Sequence, residues 1–327
     1  MNTLLSIDHG AGNIKVYGPS GGSLLPSQAS IAAGDQIRRV AGLHTTRPPL
    51  RIRTDGHQFY LGADAHDWGR PIENLDDGRF INGSPETVAL TYGAFTTYAH
   101  QHGLIDLMSD DLHITVGLPQ SALTGDGATD TARGVRNWLK AAHHWWADGE
   151  PHGLTVADVT VTSQAAGALF DYFLDDTGAF ITKRKPEFKG EVAVLSIGMN
   201  TLEMLVTERG TIKQRFSDSE TLGVRRLLDL CDPRDYYSRG ELDSALRAGS
   251  LDTRSALPVW AAEITGRLEQ RWGRALKRFA RVIVVGGGAL LLRQEITGRF
   301  NGRAWVPEDP IMAVSRGLYK IALMRAG

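Results

Sequence analysis

Asp8 ends the apolar run Thr3-Leu-Leu-Ser-Ile-Asp8 and is followed by His9-Gly10-Ala11-Gly12-Asn13 and, two residues on, Lys15. An apolar run, a small-residue turn and a second apolar run, Asn13-Ile-Lys-Val-Tyr17, make a β-hairpin. N–H groups converging in such a turn can hold a phosphate, and glycine and alanine let the backbone come close to it. Asp8 then stands where a metal's water ligands or an attacking water would lie. A second turn of this character, Gly198-Met199-Asn200-Thr201, follows Glu191-Val-Ala-Val-Leu-Ser196-Ile197. Facing one another across a cleft, the two turns would clamp the β- and γ-phosphates of a nucleotide. Taken singly, each hairpin is read more simply as an ordinary tight turn. The third element is Gly286-Gly287-Gly288-Ala289, placed between Val282-Ile-Val-Val285 and Leu290-Leu291-Leu292. Three glycines after a buried strand let the backbone pass a flat ring or a phosphate, and the short helix that follows adds its positive end. A flexible loop is the competing reading. None of these stretches is a P-loop or a Rossmann fingerprint.

The elements that would position these turns follow from hydrophobic periodicity. A short strand is expected at 58–61, a helix from Pro85 to about Leu107, and a strand at 112–116 ended by Gly117-Leu118-Pro119. A helix is expected over 129–146, a strand over 156–161 and an alanine-rich helix over 164–174. A polar loop begins at Lys183. Beyond the second hairpin a tight turn at 208–210 leads to a third strand, 211–217. A long helix over about 258–279 carries Leu268, Trp272, Leu276 and Phe279 on one face, and a last helix spans 312–324. Residues 5–13 align with 194–201 when Asp8 is set against Ser196, so the hairpin recurs at the opening of each half. A repeat at that separation implies duplicated α/β domains with the site in the cleft between them. Any two hairpins, however, look alike over ten residues.

Composition bounds the alternatives. The 327 residues carry a formal charge of −1, which supplies no global field toward nucleic acid or an anionic membrane. With 42% hydrophobic and 22% charged residues the chain can build a sizeable core. Cys231 is the single cysteine, which excludes an internal disulfide framework and a multi-cysteine zinc site. No apolar run has membrane-spanning length and the N-terminus lacks a signal-peptide pattern, so a soluble cytoplasmic protein is expected, with no membrane partner. Glycine is over-represented: 37 residues, about 11% against roughly 7% in an average protein.

In their order along the chain, D-x-G-x-x-x-x-K at Asp8–Lys15, the second hairpin, G-G-G-A at 286–289 and the final helix resemble the actin-like ATPase superfamily. Within it the chain looks most like the bacterial plasmid-segregation actins of the ParM or StbA type. Tyr60-Leu-Gly62-Ala-Asp-Ala65, Val116-Gly-Leu-Pro119, Thr221-Leu-Gly223-Val224 and Ser315-Arg316-Gly317-Leu318-Tyr319 extend the match over residues 4–320. The resemblance implies an α/β fold of two ribonuclease H-like domains around a nucleotide cleft. Residues 1–160 with 311–327 would form domain I, and 161–310 domain II. It implies ATP, with GTP possible, and Mg2+ reached from Asp8 through water. Gly10, Ala11, Gly12, Asn13 and Lys15 correspond to the first phosphate loop, and Gly198, Asn200 and Thr201 to the second. Gln164 corresponds to the residue orienting the attacking water. Gly286, Gly287 and Gly288 correspond to the nucleoside turn, with Leu291 and Leu292 as walls for the base. The catalytic set would be Asp8, Gln164 and Ser196. One departure matters: the family's second hairpin reads D-x-G-x-x-T-x-D, where this chain has Ser196 first and Glu203 last. Serine can hydrogen-bond a metal-bound water but brings no charge. Losing such a group can cost ~100-fold in rate, so slow hydrolysis is expected.

These readings converge on a nucleotide-dependent filament that would segregate or position plasmid DNA through a separate DNA-binding adaptor, with itself as the other partner and no direct contact to nucleic acid. A small-molecule kinase of the same superfamily and a non-hydrolysing nucleotide-binding scaffold stay open. His143-His144-Trp145-Trp146 is read as packing, because adjacent histidines on a helix diverge and no carboxylate stands at ligand spacing. Lys183-Arg184-Lys185 with Lys189 is read as a solvated basic loop. Arg267, Arg271, Arg274 and Arg278 line one side of the long helix, as a wet face or as a row that meets an acidic neighbour.

Overall fold

The computed structural model describes residues 3–32, 47–54, 56–73, 83–103 and 111–327. The strands are β1 (Thr3–His9), β2 (Asn13–Gly18), β3 (Gly21–Pro26), β4 (Ala29–Ile31), β5 (Leu50–Thr54), β6 (His57–Leu61), β7 (Arg70–Pro71), β8 (Leu112–Leu118), β9 (Ala142–Ala147) and β10 (Glu150–Ser163). They continue with β11 (Glu191–Ile197), β12 (Leu202–Glu208), β13 (Thr211–Ile212), β14 (Asp218–Glu220), β15 (Arg281–Val285) and β16 (Ala304–Trp305). The helices are α1 (Pro85–His102), α2 (Ala128–Leu139), α3 (Gln164–Phe173), α4 (Lys185–Phe188) and α5 (Val224–Cys231). They continue with α6 (Arg239–Arg247), α7 (Ala256–Trp272), α8 (Gly288–Leu291), α9 (Arg293–Arg299) and α10 (Ala313–Ala326).

The two sheets repeat one plan. The first runs β3-β2-β1-β8-β10 and the second β13-β12-β11-β15-β16. In each, an antiparallel hairpin leads the unit and its first strand pairs in parallel with a later one, β1 with β8 and β11 with β15. Asp8 lies opposite Lys15, and Ser196 opposite Glu203, so the duplication reaches single positions. The first sheet goes further because β10 is long. Its second half pairs with β8, with a register irregularity between Val156 and Asp158, and its first half pairs with β9. From β9 the ladder continues through β5, β6, β4 and β7.

Buried apolar residues fill each sheet, and a third cluster joins them. Ala165, Ala168 and Phe173 of α3 and Ala313, Leu318 and Ile321 of α10 pack with Val194 and Ile283. Gly317 lets α10 press against the α3 backbone, where a β-carbon would overlap Gly167 O. At the same crossing Asp171, with its side chain 1% exposed, takes both ends of the Arg316 guanidinium (2.7 and 2.6 Å) and an ion pair from Lys320 (3.1 Å).

Several expectations need correction. Residues 142–147 form a strand: His143, Trp145 and Ala147 point inward while Ala142, His144 and Trp146 are exposed, a two-residue alternation that no helix has. The packing role itself stands, since His143 bonds Tyr92 Oη (3.0 Å) and Leu139 O (2.8 Å). Helix α1 stops at His102, where Gly103 takes a left-handed turn (φ 66°); residues 104–107 of the expected helix lie outside the described residues. The third strand of the second unit is two residues long and gives way to a 3₁₀ turn, Gln214–Phe216. The expected loop at 183–189 is a 3₁₀ turn and the short α4. Helix α7 ends at Trp272, and Gly273–Lys277 continue as 3₁₀. The arginine row is partly neutralised within the chain: Arg267 meets Glu220 (3.5 Å), Arg271 meets Asp218 and Arg278 meets Glu191 (2.9 Å).

Candidate functional site

The carboxyl ends of β1 and β11 deliver the two turns to one place. They line a cavity of about 1000 Å³ that takes residues from both sheets. A β-carbon on Gly12 would come within 2.9 Å of Met199 Cβ, so the first turn can meet the second only because residue 12 has no side chain. The first turn is braced by Gly10 N–H to Asn13 O (3.1 Å) and by Ser27 Oγ to Gly10 O (2.7 Å). The second is closed by Gly198 N–H to Thr201 O (2.9 Å). It is capped by the start of α5, where the N–H groups of Val224 and Arg225 reach Gly198 O and Met199 O (2.9 and 2.8 Å).

Asp8, 2% exposed, sits at the floor. Its Oδ2 takes the Lys15 ammonium at 2.6 Å, and its Oδ1 accepts from Gln164 Nε2 at 2.8 Å. Gln164 opens α3, capped by Ser163, and also donates to His9 O (3.3 Å). Ser196 lines the same cavity from the second sheet. Its cross-strand partner Glu203 is buried, and Glu203 Oε1 accepts from the Gln120 N–H (2.9 Å), a bond across the cleft. Glu203 Oε2 and Gln120 Oε1 are both buried without a hydrogen-bond partner among the described residues. Burial, reinforced by the Asp8 charge and opposed by the Gln120 N–H, raises the Glu203 pKa to about 7. Burial also holds His9 neutral, with its pKa lowered to about 4.

The third element closes another wall. Gly286 has φ 91°, a left-handed conformation, and a β-carbon there would collide with Ile197 O, so only glycine fits behind the second hairpin. Gly286, Gly287, Leu290, Leu291 and Ile311 line the cavity. Gly288 is buried against Ile197 and Trp260 rather than lining it. Leu292, expected as a wall, is buried in the second core and lies outside the lining; Leu290 stands there instead. The other expected residues, Asp8, Gly10, Ala11, Gly12, Asn13, Lys15, Gln164, Ser196, Gly198, Asn200 and Thr201, come together around the one cavity.

The family described as actin like proteins N terminal domain matches residues 6–167. This chain carries an actin-like N-terminal domain. No curated protein matches it in sequence. Solved structures share the actin-like fold over its whole length. The apo pSK41 ParM protein has a TM-score of 0.73 at 15% identity, over 99% of this chain and 98% of that one. The archaeal actin homologue Ta0583, solved with ADP, gives 0.71 at 20% identity, covering 99% of both chains. A 15-stranded ParM filament from Clostridium botulinum gives 0.71 at 17% identity, covering 100% of both. Among the described residues, no helix of this chain is long and apolar enough to cross a membrane.

The donors in the cleft suit Mg2+ held mainly by phosphate oxygens and water. Asp8 and Asp243 are the carboxylates that line it, and the described residues hold no cluster of three or more metal-ligating side chains. Among the lining residues that the sequence reading missed are Asp243 and Arg247, which project from α6, a helix whose Ser238/Glu241 capping box was a legible start signal.

Proposed function

We propose that the chain binds a nucleoside triphosphate, ATP in the first instance and GTP in the second, between its two turns, and assembles into filaments in that state. The observation that carries this reading is the approach of Gly12 to Met199 above the Asp8–Lys15–Gln164 cluster, in a cavity large enough for a nucleotide. Residues 1–160 with 311–327, and 161–310, are the two halves whose relative angle the ligand would fix. Mg2+ would neutralise charge developing on the transferred phosphoryl group, with Asp8 holding its water ligands.

The chain's own residues divide the remaining work. Lys15 and the N–H groups of both turns hold phosphate oxygens. Gln164 spends its amide nitrogen on Asp8 and His9, which leaves its carbonyl oxygen to orient a water. Ser196 supplies a hydroxyl where a charge would speed reaction, so hydrolysis is slow. The wall of the cleft formed by Gly286, Gly287 and Leu291 receives the nucleoside. Polymer weakened by hydrolysis could then segregate or position DNA through a separate adaptor protein. Light scattering with ATP, GTP and a non-hydrolysable analogue, run beside phosphate release, tests the reading. Scattering that rises with triphosphate and precedes slow phosphate release is expected, and no triphosphate-dependent polymer defeats it. Ser196 favours a second reading, a scaffold that polymerises with nucleotide and releases no phosphate.

A further inference from the structure

Helix α6 of the second half lies against the first half beside the cleft. Gln28, 5% exposed, donates from Nε2 to Gly240 O (3.2 Å), Asp243 Oδ2 (3.3 Å) and Ser244 Oγ (3.1 Å). Next to it Glu73 Oε1 accepts from the Arg239 N–H (2.9 Å), and His66 Nδ1 lies 3.4 Å from Ser238 Oγ. At the inner end Arg247 donates to Asn13 Oδ1 (2.8 Å) and Gly12 O (3.1 Å), while Asp243 Oδ2 accepts from Arg247 Nε (2.8 Å). The contact encloses a second cavity of about 80 Å³, which shares Ala11, Gly12, Met199, Asn200 and Asp243 with the large one. Gly240 is packed so closely on the His66 ring that a β-carbon would overlap it.

We propose that this contact is a clasp that must open for nucleotide to enter or leave, so that Gln28 and α6 set the lifetime of the bound nucleotide rather than the rate of its hydrolysis. The proposal rests on the nucleotide reading above. Asp243, Leu246 and Arg247 wall the large cavity from α6, and Gly12 and Asn13 wall it from the first turn, so the clasp closes one side of it. A ligand gripped by both turns leaves only when the halves separate, and that separation breaks the Gln28 and Arg247 bonds together. The clasp is polar, so water can satisfy the same groups once it opens, and opening is reversible.

Release of a fluorescent N-methylanthraniloyl-ATP, chased with excess ATP, tests it in the full chain. Gln28→Ala removes the central amide, and release should accelerate by ~10-fold. Gly240→Ala installs a better helix former inside α6, yet its methyl wedges against His66, so faster release from this variant cannot be blamed on a weakened helix. Gly240→Ala combined with His66→Ala restores the space and should bring release back toward the parent rate. Single-turnover phosphate release from prebound nucleotide should stay within ~2-fold throughout, because no residue at the reacting end is changed. Parent-like release from both single variants overturns the clasp and leaves the nucleotide reading standing. Failure of the unaltered protein to bind the analogue saturably overturns both.

Discussion

Asp8 and Ser196 hold equivalent places in the two repeats, one a carboxylate bridged to Lys15 and Gln164 and the other a neutral hydroxyl. Restoring charge by Ser196→Asp should therefore raise single-turnover phosphate release by ~100-fold; an unchanged rate would show that the missing charge does not limit hydrolysis. Glu203 makes a different demand. Its carboxyl keeps its proton in the fold up to about pH 7, whereas its ordinary value is 4.5. The unfolded chain thus releases this proton first, and the group's contribution turns against the fold as pH rises from about 4.5 through 7. Glu203→Gln should leave stability nearly unchanged near pH 4.5. At about pH 8 it should raise stability, by ~3 kcal/mol at most. Urea denaturation without nucleotide at both values checks this, and an equal effect at each pH would contradict it. The positions of Ser196 and Glu203 in the second hairpin were legible in the sequence. The orphaned oxygens of Glu203 and Gln120 were not, because residues 83 positions apart meet only across the cleft.

Among the elements, hairpins and parallel strands were the readable ones, since apolar runs ending in glycine turns mark their own limits. The 142–147 segment was misread as a continuation of α2, because the alternation of His143, Trp145 and Ala147 is shorter than a helical window. The crossing of α3 and α10 carries a charge network no local pattern announces. Asp171 is flanked by Arg316 and Lys320 from the far end of the chain. Asp171→Ala would strand both cations in a mostly buried place and should cost ~3 kcal/mol or more. A fall in the urea midpoint at unchanged slope is the expected result, and a midpoint within error of the parent would show that the network is not structural.

For the whole molecule, the slow hydrolysis proposed above would have a consequence for the polymer. Filaments assembled with ATP should outlast dilution nearly as long as those assembled with a non-hydrolysable analogue, while Ser196→Asp filaments should disassemble sooner. Decay of light scattering after dilution measures this, and rapid loss of the unaltered ATP polymer would contradict it. The arginine row that starts on α7 and runs past its end is a poor candidate for holding such a polymer. Arg267, Arg271 and Arg278 already have acidic partners in their own chain, so an outside acid would have to displace them.

The sequence by itself determined the two turns, their glycines and their order, because a tight turn closely approached by other backbone restricts residue type locally and leaves a written trace. It also determined the duplication, since each hairpin opens a half of the chain. Tertiary structure alone decided that Gly12 abuts Met199, that Leu290 rather than Leu292 lines the cleft, and that α6 fastens onto Gln28 and the first turn. Those outcomes depend on how two separately folded sheets are set against one another. Pairings between residues hundreds of positions apart follow from that placement, and no periodicity within either half encodes it.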